Sequence, residues 1–145
     1  MDSLRIEAIM REFNCNRWFR GCFPADRIPN VTTYPSSIIV NEDPSAERGT
    51  HWVAIFISNS YHCYYFDSYG LPPNDNISNY LKSFKIVTKN FYMFQSLLSD
   101  ACAHYCIFFI CLMSIGYPFN VILKILSCQR NSDSYVKNFV SKCLF

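Results

Sequence analysis

Four polar residues, His51, Asp67, Gln95 and Cys102, have the types and the order along the chain that a thiol peptidase needs. Such an enzyme uses a thiolate nucleophile, an imidazole that pairs with it and moves its proton, and a carboxylate that orients the imidazole. It also needs hydrogen-bond donors for the oxyanion, which a glutamine amide can supply. Each residue taken singly has an ordinary structural explanation, so the prediction depends on the combination and its order.

The sequence around Cys102 predicts that this thiol lies in the first turn of a central helix. The polar segment 95–101 precedes it, and the apolar segment 107–115 follows. The first turn of a helix has unpaired N–H groups and the positive end of the macrodipole, and both lower the pKa of a thiol. Because 107–115 has no polar face, we expect the helix to be buried at the domain centre. The alternative is a core helix that contains buried, unreactive thiols.

A predicted β-hairpin would bring His51 and Asp67 together. Residues 49–57 and 61–67 are predicted as strands, with the short connection 58–60 between them. His51 lies at the start of the first strand and Asp67 at the end of the second. An antiparallel hairpin can therefore place the two side chains near each other.

The remaining elements follow from hydrophobic periodicity and turn residues. Helices are predicted over 3–13, 77–82, 118 to about 128, where Pro118 would be the N1 residue, and 132 to about 143. Further strands are predicted over 36–41, 84–87 and 91–94. Segment 15–35 is predicted to be irregular because it contains Gly21 and several prolines.

Composition limits the class of protein. The 145 residues suffice for one domain, 1–145, and half of them are hydrophobic, so we expect a globular protein. The net charge of +2 is too weak to indicate a nucleic-acid-binding protein. The longest apolar run, about 101–115, is too short to span a bilayer, and we expect no secretory signal.

The eight cysteines show no CxxC spacing, which disfavours a metal site of the zinc type. Cys102, Cys106 and Cys111 lie along one apolar helix, which also disfavours a disulfide framework. We therefore expect reduced thiols and a reducing compartment, and no bound metal.

Several motifs resemble the adenain family, the maturation cysteine proteases of adenoviruses, which has relatives in other DNA viruses and in virus-like transposons. Gly49-Thr-His51-Trp52 resembles the motif around the family's catalytic histidine. Cys63-Tyr-Tyr-Phe-Asp67-Ser-Tyr-Gly70 resembles the strand that ends in the acidic triad member. Six residues separate Gln95 from Cys102, which is the family's spacing between the oxyanion glutamine and the nucleophile.

The opening segment, Cys15-Asn-Arg-Trp-Phe-Arg-Gly21, is also similar to that of adenain, and the resemblance covers roughly residues 5–115. The wider group includes the proteases of SUMO and ubiquitin-like proteins. The resemblance implies an α+β, papain-like fold in which a mixed sheet packs on a central buried helix that carries the nucleophile.

The resemblance also implies a role for each matching residue. Cys102 would be the nucleophile, His51 its partner, Asp67 the group that orients His51, and Gln95 an oxyanion donor. Trp52 would bind substrate beside the histidine. The implied activity is cleavage of viral capsid or core precursor proteins after glycine during virion maturation, in the host nucleus and the virion, by a monomer that binds no membrane.

Four features depart from the family pattern. Ala103 stands where the family usually has glycine, and Asp67 stands where adenain has glutamate. No cysteine lies between Cys63 and Cys102, so an activating peptide could not be joined by the adenain-type disulfide. The chain is also short after residue 115, which together with the low net charge weakens the implied use of DNA as a cofactor.

Two other functions use the same residues differently. The first is a deubiquitinase-like or deSUMOylase-like protease that acts on the Gly-Gly tail of a folded modifier. The second is a catalytically inactive binding module of the same fold. The presence of chemically suitable residues at all four catalytic positions argues against this function.

Overall fold

The computed structural model describes residues 1–13, 16–43 and 51–142. These residues fold into one mixed five-stranded sheet and five α-helices. Two short 3-10 helices, Asn16–Trp18 and Ala25–Arg27, flank the first strand. The strands are β1 (Phe19–Pro24), β2 (Ser36–Asn41), β3 (Trp52–Ile57), β4 (His62–Phe66) and β5 (Ile86–Lys89). The helices are α1 (Ser3–Glu12), α2 (Asp75–Leu81), α3 (Cys102–Ser114), α4 (Phe119–Ser127) and α5 (Ser132–Lys142).

The strands follow the order β1-β2-β3-β4-β5 across the sheet. The outer pairs, β1 with β2 and β4 with β5, are parallel, whereas β3 is antiparallel to both of its neighbours. The predicted hairpin of β3 and β4 is confirmed, and Ala54 pairs with Phe66 in its register. The start of β3 and the end of β4 therefore lie at the same edge of the sheet.

Helix α3 is the buried centre of the molecule, as its apolar sequence predicts. Eleven of its thirteen residues are buried, and Ile107, Phe109 and Ile110 have no exposed surface. Full burial of one such side chain contributes about 1.5–3 kcal/mol to stability. Helix α3 packs on β3 and contacts α1, α4 and α5. The start of α3 is thereby held rigidly against the sheet.

Alternate residues of β2, β3 and β4 contribute to two separate cores, because successive side chains of a strand point to opposite faces. Ile39, Ala54 and Phe66 belong to the core that contains α3. Val40 and Val53 belong to a smaller core that also includes residues of α2. Helices on both faces of a mixed sheet confirm the predicted α+β class.

Strand β1 corrects the prediction that 15–35 is irregular. It is an edge strand, where a proline such as Pro24, at the strand's end, removes no hydrogen bond from the middle of the sheet. Gly21 has a φ of 130° and lies where the register with β2 shifts, between Phe19 and Cys22. The glycine and the proline that argued against regular structure are thus features of an irregular edge strand. Cys15 lies outside the described residues.

Only one strand, β5, forms where two were predicted, over 84–87 and 91–94. Residues 91–94 are not a strand, and the side chains of Phe91 and Tyr92 are each 75% exposed. The backbone there turns toward the end of β4, where the N–H of Phe94 donates to the carbonyl of Ser68 at 2.8 Å. The aromatic residues that indicated a strand therefore belong to a loop beside the sheet edge.

The helices agree with the predictions to within two residues. The Asp2 carboxylate caps α1 by accepting from the N–H of Arg5 at 2.8 Å. Pro118 is the N-cap of α4 rather than its N1 residue. Asn14, Cys143 and the predicted first strand residues Gly49 and Thr50 lie outside the described residues. Within the described ranges, no helix has the length and apolar character needed to cross a membrane.

Candidate active site

His51 and Asp67 form a direct ion pair at the edge where β3 begins and β4 ends. Nε2 of His51 lies 2.6 Å from Oδ1 of Asp67. The Asp67 side chain is fully buried and that of His51 is 12% exposed, so little water screens the pair. The ring of Tyr69 stacks on the imidazole, with 4.9 Å between ring centroids. The imidazole is therefore fixed in orientation by one hydrogen bond and one stacked ring.

A tight turn after β4 holds the Asp67 carboxylate. Its Oδ1 accepts from the N–H of Tyr69 at 2.9 Å, and its Oδ2 accepts from the N–H of Leu71 at 3.3 Å. The N–H of Gly70 donates to the carbonyl of Asp67 at 2.8 Å. These bonds give the buried carboxylate backbone donors in addition to the imidazole, which satisfies its need for hydrogen bonds.

Cys102 is the first residue of α3, as predicted. The N-cap residue, Ala101, offers no side chain to the free N–H groups of the first turn. Such groups attract an anion. The backbone N–H groups of Ala103 and Trp52 both hydrogen-bond the thiolate and lower its pKa. The sulfur is therefore placed where negative charge is stabilised.

The pKa values of Cys102 and His51 move in the directions that favour a thiolate–imidazolium pair. Burial raises the pKa of Cys102, but the hydrogen bond and charge of His51, with the two backbone N–H groups, outweigh it and lower this pKa. Burial lowers the pKa of His51, but hydrogen bonds to Asp67 and Cys102 and their charges raise it to about 10. Because Nε2 faces Asp67, the thiol is bonded through the other ring nitrogen, Nδ1.

Three other thiols, those of Cys22, Cys63 and Cys106, have the opposite character. Burial raises the pKa of Cys63 to about 12, and burial together with the charge of Glu7 raises that of Cys22 to about 12. Burial also raises the pKa of Cys106, which is fully buried, well above the ordinary value of a thiol. Cysteines 22, 63, 102, 106 and 128 are free, as expected. Cys111 is disulfide-bonded, which corrects the expectation of reduced thiols at that position.

Gln95 lies at the same edge of the sheet, in the loop between β5 and α3, and is 1% exposed. Its Oε1 accepts from the Ser68 hydroxyl at 2.6 Å, and its Nε2 donates to the carbonyl of Ser99 at 2.8 Å. The N–H of Gln95 also donates to the carbonyl of Ser68 at 3.1 Å. One N–H of the Gln95 amide is used by Ser99, and the structure shows no partner for the second N–H among the described residues.

A cleft of about 330 Å³ connects these groups. It is lined by Met1, His51, Trp52, Tyr69, Gln95, Ser99, Asp100 and Cys102. Five residues were predicted for the site. Four of them line this one cleft, namely His51, Trp52, Gln95 and Cys102. The fifth, Asp67, contacts His51 from outside the cleft. The Trp52 indole is 8% exposed, and its N–H donates to the carbonyl of Met1 at 2.9 Å.

Ala103, the departure from the family's usual glycine, is fully buried in the larger core. Its methyl group therefore packs against apolar residues, while its N–H is one of those that lower the pKa of Cys102. The core therefore accommodates the alanine side chain at this position.

Three residues at this edge were missed by the sequence analysis. Ser68 links the Asp67 turn to Gln95. The buried Asn90 accepts from the N–H of Asp67 at 3.0 Å and donates to its carbonyl at 2.6 Å. Glu42 follows β2, and its N–H donates to the carbonyl of His51 at 3.0 Å. Each makes its hydrogen bond to a residue distant in sequence or from another strand, which no local pattern reveals, even for Ser68, which directly follows Asp67.

Glu42, His51 and Asp67 also form a group whose ligand atoms all lie within 4.8 Å of one another. Nitrogen and oxygen ligands of one zinc ion stand about 3.3 Å apart, given bonds near 2.0–2.1 Å and tetrahedral geometry. The 2.6 Å separation of His51 and Asp67 is that of a hydrogen bond instead. A cation could enter only by breaking this pair.

Comparison with solved structures identifies the fold. The crystal structure of the ASFV pS273R protease matches 96% of this chain and 65% of its own, with a TM-score of 0.58 and 16% sequence identity. A crystal structure of the selenomethionine form of the same protease matches 72% of this chain and 43% of its own, with a TM-score of 0.46 and 21% identity. This chain thus spans less than two thirds of the length of those structures.

No protein-family profile and no curated protein matches the sequence. The likeness to the first crystal structure therefore concerns the fold. It confirms the predicted fold class, a papain-like cysteine protease fold of the type shared with SUMO proteases, with a mixed sheet on a central helix.

Proposed function

We propose that this chain is a cysteine endopeptidase whose nucleophile is Cys102. The observation that carries the proposal is the hydrogen-bonded series Asp67–His51–Cys102, in which the thiol pKa is lowered and the imidazole pKa is raised to about 10. A thiolate paired with an imidazolium is the reactive form of a thiol peptidase. This series stands at one end of the cleft that Gln95 also lines.

In the proposed acylation step, the Sγ thiolate of Cys102 attacks the carbonyl carbon of the scissile peptide. A C–S bond forms, and the carbonyl π electrons move to the oxygen, which becomes an oxyanion. The side-chain amide of Gln95 and the backbone N–H of Cys102 donate to that oxygen. When the oxyanion collapses, the C–N bond breaks, and the imidazolium of His51 gives its proton to the leaving amine.

Deacylation reverses the proton transfers. The neutral imidazole of His51 takes a proton from water, and the resulting hydroxide attacks the thioester carbonyl. The C–S bond breaks, the Cys102 thiolate is regenerated, and the product carries the new carboxyl group. Asp67 accepts from Nε2 throughout, so it keeps the imidazole oriented and stabilises its protonated form.

The proposed substrate is a protein cleaved after glycine, in keeping with the adenain resemblance. The buried Trp52 and His51 line a cleft of only about 330 Å³, which supports a subsite too narrow for most side chains beside the nucleophile. Capsid or core precursors of a virus are the substrates that the resemblance implies. Cleavage at the Gly-Gly tail of a ubiquitin-like modifier would use the same chemistry on a folded substrate.

Activation by DNA or by a peptide, and function in the nucleus and the virion, extend the same proposal. The net charge of +2 argues for a weak electrostatic contribution from DNA. An activating peptide would bind without the adenain-type disulfide. The lowered pKa of Cys102 argues against a catalytically inactive binding module, because binding alone does not require a thiolate in a cleft.

A fluorogenic peptide with Gly-Gly before the scissile bond tests the proposal. We expect turnover by the wild type and none by Cys102→Ala, a substitution between two small side chains that should leave the fold intact. A peptide with Gly-Ala at the same place should be cleaved at least tenfold more slowly. Parallel reactions with added DNA, and with a ubiquitin-like suicide probe, separate the modes of activation and the classes of substrate.

Turnover that survives in Cys102→Ala would exclude this thiol as the nucleophile. Reaction with the ubiquitin-like probe, without cleavage of any short peptide, would favour the second class of substrate over capsid precursors.

A further inference from the structure

The loop that carries Gln95 is tied to α5, a helix outside the segment that resembles adenain. The contact is made by Asp133, in the first turn of α5. Its Oδ2 accepts from the Ser96 hydroxyl at 2.6 Å and from the Ser96 N–H at 3.3 Å. Ser96 is the residue next to Gln95, so the carboxylate holds the chain directly beside the amide that lines the cleft.

The second oxygen of the same carboxylate reaches α3. Oδ1 of Asp133 accepts from the Tyr105 hydroxyl at 2.7 Å. That hydroxyl lies 3.1 Å from the carbonyl of Phe94, on the other side of Gln95. Tyr105 stands one turn after Cys102 in α3 and is fully buried. Asp133 therefore connects Ser96 to the helix that carries Cys102, through a tyrosine whose hydroxyl also lies beside Phe94.

Capping of α5 does not account for this carboxylate. Oδ1 of Asn131 already accepts from the N–H of Ser134 at 3.0 Å, as an N-cap residue does. The bonds to Ser96 and Tyr105 also lower the pKa of Asp133 although burial raises it, so the carboxylate stays charged over the working range of a peptidase. A charged acceptor forms hydrogen bonds about twice as strong as a neutral one.

Lys137 provides a second link between α5 and the loop, with a different character. Its Nζ lies 2.7 Å from Oδ1 of Asp100, and the two side chains are 43% and 86% exposed. Exposed pairs of this kind contribute about 0–1 kcal/mol. The Asp133 cluster differs because, beside its exposed bonds to Ser96, it has a part-buried bond to the fully buried Tyr105, so it is the contact that can fix the loop.

We propose that Asp133 is a positioning residue, which fixes the Gln95 loop against α3 so that the Gln95 amide meets the oxyanion. This inference rests on the proposed peptidase function. Asp133 touches neither the thiol nor the imidazole, so its removal should move the oxyanion donor and leave the thiolate–imidazolium pair intact. A displacement of about 1 Å in a catalytic group can cost on the order of 100-fold in rate.

Two reactions of Cys102 separate these effects. Peptide hydrolysis passes through an oxyanion and needs the donor, whereas alkylation by iodoacetamide needs only the thiolate. We expect Asp133→Ala to lower kcat about 10- to 100-fold, with KM within about threefold and with an unchanged rate of Cys102 alkylation at pH 6. Asp133→Asn keeps one acceptor oxygen of the two and should lose less.

Two control variants match the substitution. Asp75→Ala makes the same change in the first turn of α2, at an exposed carboxylate on a helix that packs in the smaller core. Lys137→Gln breaks only the exposed pair with Asp100. Both should keep kcat within about twofold of the wild type. Tyr105→Phe removes one arm of the cluster, and its effect should not add to that of Asp133→Ala.

An activity-independent measurement keeps the proposal separate from the proposed function. Hydrogen exchange of the amides in 95–101 should accelerate in Asp133→Ala and remain unchanged in Asp75→Ala. If the wild type shows no Cys102-dependent turnover, the peptidase function fails, and the exchange data alone decide the positioning role.

Three results would overturn that role. The first is unchanged exchange over 95–101 in Asp133→Ala. The second is a kcat of Asp133→Ala equal to that of the wild type, provided that the wild type cleaves peptides. The third is an equal loss of hydrolysis and of alkylation, which would indicate general damage to the site.

Discussion

Three contacts determine the orientation and the pKa of the His51 imidazole. Asp67 bonds Nε2 at 2.6 Å, the Cys102 thiol bonds the other ring nitrogen, and Tyr69 stacks on the ring. The bonds raise the pKa of His51 to about 10, whereas the pKa of Cys102 is lowered. The charged pair therefore exists in the pH range between the lowered pKa of the thiol and about 10.

Replacement of His51 tests this coupling at Cys102. Without the imidazolium, only the N–H groups of Trp52 and Ala103 oppose the effect of burial, so the pKa of Cys102 should rise. His51→Ala should then slow alkylation of Cys102 by iodoacetamide at pH 6 about tenfold for each unit of pKa change. The rate is followed by mass spectrometry of the labelled peptide. His62→Ala is the matched control, because His62 bonds Thr88 at 2.9 Å and takes no part in the site. Equal rates in His51→Ala and the wild type would contradict the ion pair.

Glu42 adds a second carboxylate beside the imidazole, within 4.8 Å of His51 and Asp67. Burial raises its pKa, the imidazolium charge of His51 opposes that shift, and the charges of Asp67 and Asp43 add to it. Once ionised, Glu42 favours the protonated imidazole. Glu42→Gln removes this negative charge, so the pKa of His51 should fall and the basic limb of the profile of kcat/KM against pH should move to lower pH.

Glu12→Gln, at an exposed position in α1, is the control for Glu42→Gln and should leave the profile unchanged. A basic limb that stays in place, or moves to higher pH, in Glu42→Gln would exclude any influence of this carboxylate on His51.

At the level of elements, the site depends on the turn after β4 and on the loop before α3. Gly70 makes the close approach between them feasible. It has a φ of +67°, and a Cβ atom there would lie 2.6 Å from the backbone carbonyl carbon of Tyr92. The glycine therefore allows the loop that leads to Gln95 to pass directly over the turn that holds Asp67.

Gly70→Ala should consequently lose more stability than backbone strain alone accounts for. The left-handed conformation costs a non-glycine residue about 1–3 kcal/mol, and the contact with Tyr92 adds to this. Gly116→Ala is the matched control, because Gly116 has a φ of +100° with nothing within 4 Å of the added Cβ. Urea unfolding of both variants measures the difference. Equal losses of unfolding free energy would show that the contact with Tyr92 has no cost.

Sequence patterns predicted the elements whose residues interact locally. The buried helix α3, the hairpin of β3 and β4, and the capped helix α1 follow from periodicity and end signals within each segment. Strand β1 was missed because its pairing with β2 overrides the local signals of Gly21 and Pro24. Residues 91–94 were mistaken for a strand because aromatic residues are common in strands, whereas Phe91 and Tyr92 are largely exposed in a loop. Propensity is weaker than tertiary context at such positions.

The candidate site shows the same division between local and distant information. His51, Asp67, Gln95 and Cys102 could be predicted because chemistry demands their types and order. Ser68, Asn90 and Asp133 supply hydrogen bonds from segments far away in the sequence, and common polar residues of this kind carry no signal of their own. Their roles become visible only when the sheet edge, the loop and α5 are assembled.

For the whole molecule, the fold places the reactive thiol at the junction of a rigid helix and a sheet edge. Among the free thiols of the described residues, the pKa of Cys102 is lowered, whereas the pKa values of Cys22, Cys63 and Cys106 are raised. Covalent chemistry should therefore be directed to one cysteine by its surroundings.

The most direct test of the central claim is a pre-steady-state reaction with a p-nitrophenyl ester of a peptide that ends in Gly-Gly. Attack by Cys102 would release p-nitrophenol in a burst and leave a thioester, because acyl-enzyme accumulation is the kinetic sign of covalent catalysis. A Cys128→Ser background removes the exposed free thiol. We predict a burst approaching one equivalent, a mass increase located at Cys102, and the loss of both in Cys102→Ala. Absence of a burst, or an adduct on a different cysteine, would contradict the assignment of Cys102 as the nucleophile.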